Sequence, residues 1–257
     1  MSEDLSLGRQ QVRVRALPNR DTVSLNVHPP STDRVVFLLD VDNTLLDNDR
    51  FAVELSARLE QGFGRGGRDR YWEVYAQRRT QLGYADYLGT LEEFRGGQEA
   101  GPELLQMSSY LLDYPFAQLV YPQALEAIAR LRTLGAVVVL SDGDIVFQPR
   151  KVQRSGLWDA VSGEVRICLH KQYALEFMQR QYPARHYVAV DDKPFLLAAM
   201  KLVMGARLTT VFVRQGHYAL EAAGTPVLPP PDLVIENIGA LIGLDPALFH
   251  IVAREVS

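Results

Sequence analysis

Short runs of consecutive apolar residues alternate along this chain with stretches in which apolar positions recur every three or four residues. The runs Val35 to Leu39, Val137 to Leu140, Val165 to Leu169, Tyr187 to Val190 and Thr210 to Val213 are rich in aliphatic and β-branched residues. Runs of that length and content predict strands buried on both faces of a sheet. Between them, Pro122 to Leu134, Phe147 to Leu157, Gln172 to Gln181 and Pro194 to Met204 show helical spacing. Pro122 and Pro194 stand near helix starts, where a missing N–H costs nothing. From Arg34 onward the alternation predicts an α/β fold, a Rossmann-like parallel sheet with helices on both faces.

One interval breaks the alternation. Between about Asp47 and Gln118 no buried strand is legible, and Phe51 to Leu59, Tyr71 to Gln81 and Glu103 to Leu112 read as helices joined by glycine-rich turns. A small all-α domain, residues 48–118, is therefore expected as an insertion after the first strand. It would sit above the carboxyl edge of the sheet, where open α/β folds hold their ligands. Residues 34–47 and 119–257 make the core domain. Residues 1–33, with four scattered arginines and a weak alternation from Val12 to Val27, read as a tail able to dock as an arm or strand.

Composition narrows the picture only by exclusion. A chain of 257 residues, 47% hydrophobic and 23% charged, is ordinary globular material. A net charge of -4 gives no electrostatic reason to expect nucleic acid or an anionic membrane as partner. No signal-like segment or membrane-length apolar run is visible, and the single cysteine, Cys168, allows no intrachain disulfide. The expectation is a cytoplasmic protein in which Cys168 is a small buried hydrophobe. Monomer and homodimer are equally compatible with the pattern.

Charged residues at the strand ends bring in chemistry. The first strand runs into "DVDNT", so Asp40 and Asp42 lie two residues apart on one face. Carboxylates that close repel each other unless a cation or a shared proton intervenes. Asp191 and Asp192 form a second pair at another strand end. Should the two ends be neighbours, their acids make a hard oxygen site suited to Mg²⁺. After a third strand, Ser141, Asp142 and Gly143 offer a hydroxyl and free backbone N–H groups to phosphate oxygens. The chain has four lysines. Lys171, after the strand "EVRICLH", is the best placed to balance phosphate; Lys193 reads as a neutraliser of the acidic pair, and Lys151 and Lys201 as solvated on amphipathic helices.

In order, these residues resemble the four motifs of the haloacid dehalogenase superfamily across about 34 to 240: "DVDNT" the first, Ser141 the second, Lys171 the third, Asp191-Asp192 the fourth. The resemblance implies that the inserted helices are an α-helical cap. It further implies Mg²⁺-dependent hydrolysis of a small phosphate monoester, a phosphorylated metabolite, through an aspartyl-phosphate on Asp40. Asp42 would be general acid and base and would bind the metal through its backbone carbonyl; Asp191 and Asp192 would complete the metal site. Thr44, Ser141, Asp142, Gly143 and Lys171 would hold phosphate. Relatives that dehalogenate carbon lack an acid at the position of Asp42. A phosphomutase and a non-catalytic phospho-ligand binder remain the alternatives. In the inserted helices, Tyr71, Trp72 and Tyr75 are read as packing residues, and the arginines around them as solvated, in preference to recognition of a base or a second anion.

Overall fold

The computed structural model describes residues 35–97, 101–222 and 224–250; the N-terminal tail reading falls outside them. Chain order is β1 (Val35–Leu39), α1 (Asn48–Leu82), α2 (Tyr87–Arg95), α3 (Pro102–Asp113), α4 (Ala124–Arg132), β2 (Ala136–Asp142), α5 (Phe147–Arg154), α6 (Leu157–Ala160), β3 (Val165–Cys168), α7 (Leu175–Gln181), β4 (His186–Asp191), α8 (Pro194–Met204), β5 (Leu208–Val213), α9 (Gly216–Glu221) and β6 (Leu233–Ile235). The six strands form one sheet in the order β3-β2-β1-β4-β5-β6, and every neighbouring pair is parallel. The order in which strands are added therefore reverses at β1, which lies between β2 and β4, and the carboxyl ends of all three open on the same crevice.

Alternate residues of each strand feed two cores. Phe37, Leu39, Val139, Val188 and Val190 pack on one face against α4, α5 and α6. Val36, Leu38, Leu140, Tyr187 and Ala189 pack on the other against Leu175 and Met178 of α7 and Leu197 and Met200 of α8. Coverage on both faces explains why the strands are continuously apolar, with no alternation of polar positions.

Helices α1, α2 and α3 occupy the interval between β1 and β2. Asp47 caps α1 by accepting from the Arg50 N–H at 2.9 Å, Asp86 caps α2 through the Gly89 N–H at 2.8 Å, and Pro102 opens α3. The glycine-rich stretch expected as a turn is instead a kink: α1 runs through it and departs from helical angles at Gly64, φ 70°. The apolar residues of these helices join the core of the sheet, through Phe51 against Phe147 at 5.9 Å and Tyr87 against Phe147 at 5.0 Å between ring centres.

Four elements are absent from the sequence reading, among them α6, a single turn of four residues that begins where the expected helix Phe147 to Leu157 ends. Strand β6 has only three residues, so it makes no recognisable apolar run, and α9 buries no side chain to mark its period. Helix α2 hides a polar residue, Thr90, in its buried stripe. No helix among the described residues is long and apolar enough to cross a membrane.

Candidate active site

Register brings the acids together. Leu39 of β1 lies opposite Val190 of β4, so Asp40 and Asp191, each one residue further on, stand side by side at the sheet edge. The Asp40 N–H donates to the Val190 carbonyl at 3.0 Å, which carries the ladder up to the acid itself. One carboxylate oxygen from each of Asp40, Asp191 and Asp192 lies within 4.8 Å of the others, and all three residues are buried. Lys171 comes from the loop after β3, also buried, and its Nζ donates to Asp40 Oδ1 and to Asp191 Oδ2, each at 2.6 Å. Thr44 Oγ1 donates to the other Asp40 oxygen at 3.3 Å. Asn43 makes this turn possible by adopting a left-handed φ of 60°, which asparagine tolerates better than most residues.

Electrostatics separates the carboxylates. Burial alone would raise the Asp40 pKa, but the charges of Lys171 and Lys193 outweigh it and hold the group below its ordinary value. Asp191 is pushed upward, by burial first and by the Asp40 charge second. Lys171 remains firmly protonated because Asp191 and Asp40 more than offset the cost of burying it. Asp192 is compensated too little: burial, then Asp191 and Asp40, raise its carboxyl to about 9 against the weaker pull of Lys193 and Lys171. Both of its carboxylate oxygens are buried with no hydrogen-bond partner among the described residues. A buried acid left without partners beside two others is a poor structural element but a suitable donor for a hard divalent cation, so the residues present fit Mg²⁺.

Asp42 belongs to a second group. Its Oδ1 accepts from Lys151 Nζ at 2.7 Å and its Oδ2 from Gln148 Nε2 at 3.1 Å. The expectation that Lys151 is solvated is corrected here: its side chain is 0% exposed, because Asp42 and Asn48 Oδ1, the latter at 2.9 Å, replace water around the ammonium. Lys201 also differs from expectation, pairing with Asp232 at 2.8 Å.

Ser141 is buried at the end of β2, and its Oγ accepts from the same Gln148 Nε2 at 2.9 Å. Asp142 Oδ1 accepts from the Lys171 N–H at 2.7 Å, and so fastens the loop that carries the lysine. The Gly143 N–H is spent on the Cys168 carbonyl at 3.0 Å. What Gly143 does supply is room: a Cβ there would come within 2.9 Å of the Gln148 side chain. Cys168, expected to be buried, is half-buried where β3 ends.

The profile of the haloacid dehalogenase-like hydrolase family matches residues 35–202. A solved haloacid dehalogenase-like hydrolase of Burkholderia xenovorans is 54% identical, with 83% of this chain and 99% of that one covered and a TM-score of 0.78. This chain belongs to the haloacid dehalogenase-like hydrolase family. Two more distant structures share the fold: a haloacid dehalogenase-like family hydrolase of Xanthomonas campestris, 17% identical over 85% of this chain and 93% of its own at a TM-score of 0.60, and a 2-haloacid dehalogenase of Pseudomonas syringae, 15% identical over 85% and 98% at 0.58. No curated protein matches the chain.

Within this member of the family the inserted aromatics pack as expected. Tyr71 is buried, with its hydroxyl donating to the Tyr87 carbonyl at 3.0 Å, and Trp72 Nε1 donates to Ser56 Oγ at 2.8 Å. Two of the arginines are paired more than they are solvated, Arg78 with Asp86 and Glu93 and Arg68 with Glu60 and Asp69, whereas Arg65 and Arg70 are exposed as expected. Arg79 instead lies over the Tyr218 ring at 5.4 Å, and Lys193 Nζ lies 5.0 Å from the centre of that ring.

The sequence reading missed Lys151, Gln148 and Asn48. A signal was there for the first two: Phe147, Gln148, Lys151 and Val152 are the buried positions of α5, spaced one, three and four apart. A lysine in register with Phe147 at i+4 belongs to the buried stripe of a helix and not to its wet face.

Proposed function

We propose that the protein is a Mg²⁺-dependent phosphatase acting on a small phosphorylated metabolite. The observation that carries this reading is Asp192, buried and unpartnered beside Asp40 and Asp191. Asp40, Asp191, Asp192 and the backbone carbonyl of Asp42 would hold the ion. Once bound, it would supply the positive charge that lets an anionic carboxylate approach an anionic phosphate.

The chain's own residues supply the remaining steps. Asp40, kept ionised and oriented by Lys171 and Thr44, attacks phosphorus, and the bond to the ester oxygen breaks. Asp42 gives its proton to the departing oxygen, then takes one from the water that cleaves the aspartyl-phosphate, which returns both acids to their starting forms. Lys171 and the Ser141 hydroxyl stabilise charge on the transferring group. Helices α1, α2 and α3 serve as a cap domain, residues 48–118, that closes over the sheet edge and selects the substrate.

Asp42 also weighs against carbon–halogen hydrolysis. Halide leaves without a proton, so an acid two residues from the nucleophile would have no first task there, whereas an alkoxide leaving phosphorus needs one. The test is a panel of phosphate monoesters with and without Mg²⁺, run beside a panel of 2-haloalkanoates and repeated with Asp40→Asn. Phosphate release that needs Mg²⁺ and falls by about a thousandfold or more in the variant is expected. Halide release without phosphate release, or an Asp40→Asn protein as active as the parent, overturns the reading.

A further inference from the structure

Helix α5 contributes nothing to the acid cluster, yet it directs two side chains at groups the chemistry needs. Gln148 Nε2 lies 2.9 Å from Ser141 Oγ and 3.1 Å from Asp42 Oδ2, so one amide ties the phosphate-facing hydroxyl to the general acid. Lys151 holds the other Asp42 oxygen at 2.7 Å. Its ammonium is further bounded by Asn48 Oδ1 and by the rings of Phe147 at 5.4 Å, Tyr87 at 5.7 Å, Phe51 at 5.9 Å and Phe116 at 5.9 Å.

Burying an ammonium among four rings is costly unless it is paired and its geometry fixed. A fold that required only packing there would be served by leucine or methionine. The partners are also informative. Asn48 opens α1 and Tyr87 opens α2, whereas Phe147 and Lys151 itself lie on α5. The ammonium is thus held between the inserted helices and the sheet layer, and its one charged contact is the acid.

We propose that Lys151 is the positioning residue for Asp42. Together with Gln148 it fixes both carboxyl oxygens, so that the acid faces the departing ester oxygen and not the bulk solvent. The assignment rests on the phosphatase reading. It concerns the step in which the bond from phosphorus to the ester oxygen breaks, that oxygen takes the proton of Asp42, and Asp42 is left as a carboxylate. A misdirected acid slows that step only when the leaving oxygen needs a proton.

The experiment compares kcat/KM, which reports events up to departure of the alcohol, for an alkyl phosphate and for 2,4-dinitrophenyl phosphate, whose phenolate leaves unprotonated. A lower folded fraction scales both values equally and cancels in their ratio. Lys151→Met is expected to lower the alkyl to dinitrophenyl ratio by about tenfold to a hundredfold, in keeping with what a general acid contributes. In the double variant with Asp42→Asn, the alkyl ester should lose nothing beyond the loss from Asp42→Asn alone. Gln148→Met, which frees the other Asp42 oxygen, should shift the ratio the same way by about threefold, and it carries the test should Lys151→Met not fold. Equal losses on the two esters, or a further loss in the double variant, overturn the assignment and leave the phosphatase standing. Wild-type protein that hydrolyses neither ester removes the phosphatase reading and this assignment with it.

Discussion

Two lysines are wholly withdrawn from water in this molecule, and they are held in different ways. Lys171 bridges two acids at the tips of adjacent strands, Asp40 and Asp191, each at 2.6 Å. Lys151 reaches a single acid from the side of a helix and shares its surroundings with four aromatic rings. Lys171 therefore sits between two buried carboxylates whose remaining hydrogen bonds are a long one from Thr44 Oγ1 to Asp40 at 3.3 Å and one from the Lys193 N–H to Asp191 at 3.0 Å, whereas the partner of Lys151 keeps Gln148 and is 21% exposed. Under the proposed mechanism the first arrangement serves charge on the transferring group and the second the direction of a proton. A parallel sheet can thus gather charge at its carboxyl edge from strand tips and from the flanks of its crossover helices, and the two routes carry different penalties when cut.

Removing the ammonium from each tests that difference. Lys171→Met leaves Asp40 and Asp191 buried without the ammonium that bridges them, and should cost about 3–5 kcal/mol of metal-free stability in urea unfolding. Its effect on turnover should be about a hundredfold to a thousandfold, the same for alkyl and dinitrophenyl esters, because charge on the transferring phosphoryl group develops whatever the alcohol. Lys151→Met should cost only about 1–2 kcal/mol, since Asp42 keeps one hydrogen bond and can take up water. Equal stability losses would erase the distinction between the two sites.

The same contrast explains what was legible beforehand. Asp40, Ser141 and Asp191 each follow directly on an apolar run and Lys171 one residue later, and parallel strands end at one edge, so strand pattern alone brings them to that edge. The register of β1 with β4, which makes Asp40 and Asp191 neighbours, is not a property of either run; it follows from the order of strands in the sheet. Lys151 was misread because a charged residue on an amphipathic helix is ordinarily solvated; its register with Phe147 places it in the buried stripe, and Asp42, 109 positions away, supplies the charge that makes its burial tolerable. Gly143 was read for its N–H group, which the β3 strand end takes; its lack of a side chain, which admits Gln148, depends on a helix whose placement no local pattern reveals.

The one variant expected to gain stability is at Asp192, and it draws the boundary between the two sites most closely. Asp192→Asn keeps the shape of the side chain and breaks no hydrogen bond, because neither carboxylate oxygen has a partner. It also removes the cost of keeping a proton on a buried carboxyl held at about 9 while the unfolded chain ionises in the ordinary carboxylate range, so metal-free stability at neutral pH should rise, and the rise should vanish as pH falls below that range. The ligand-linked part should move in the opposite direction. A parent protein that binds Mg²⁺ only when folded gains stability as the ion is titrated in, and the variant, with one donor of the cluster made neutral, should lose most of that gain. Lys151→Met should keep it, because the carboxylate held by Lys151 lies outside the three-acid cluster. Thermal unfolding in EDTA and across a Mg²⁺ series reads both quantities. An Asp192→Asn protein with the parent's full Mg²⁺ response, or a Lys151→Met protein without one, would mean that the ion is held from the side of Asp42 and that the two buried lysines serve a single site.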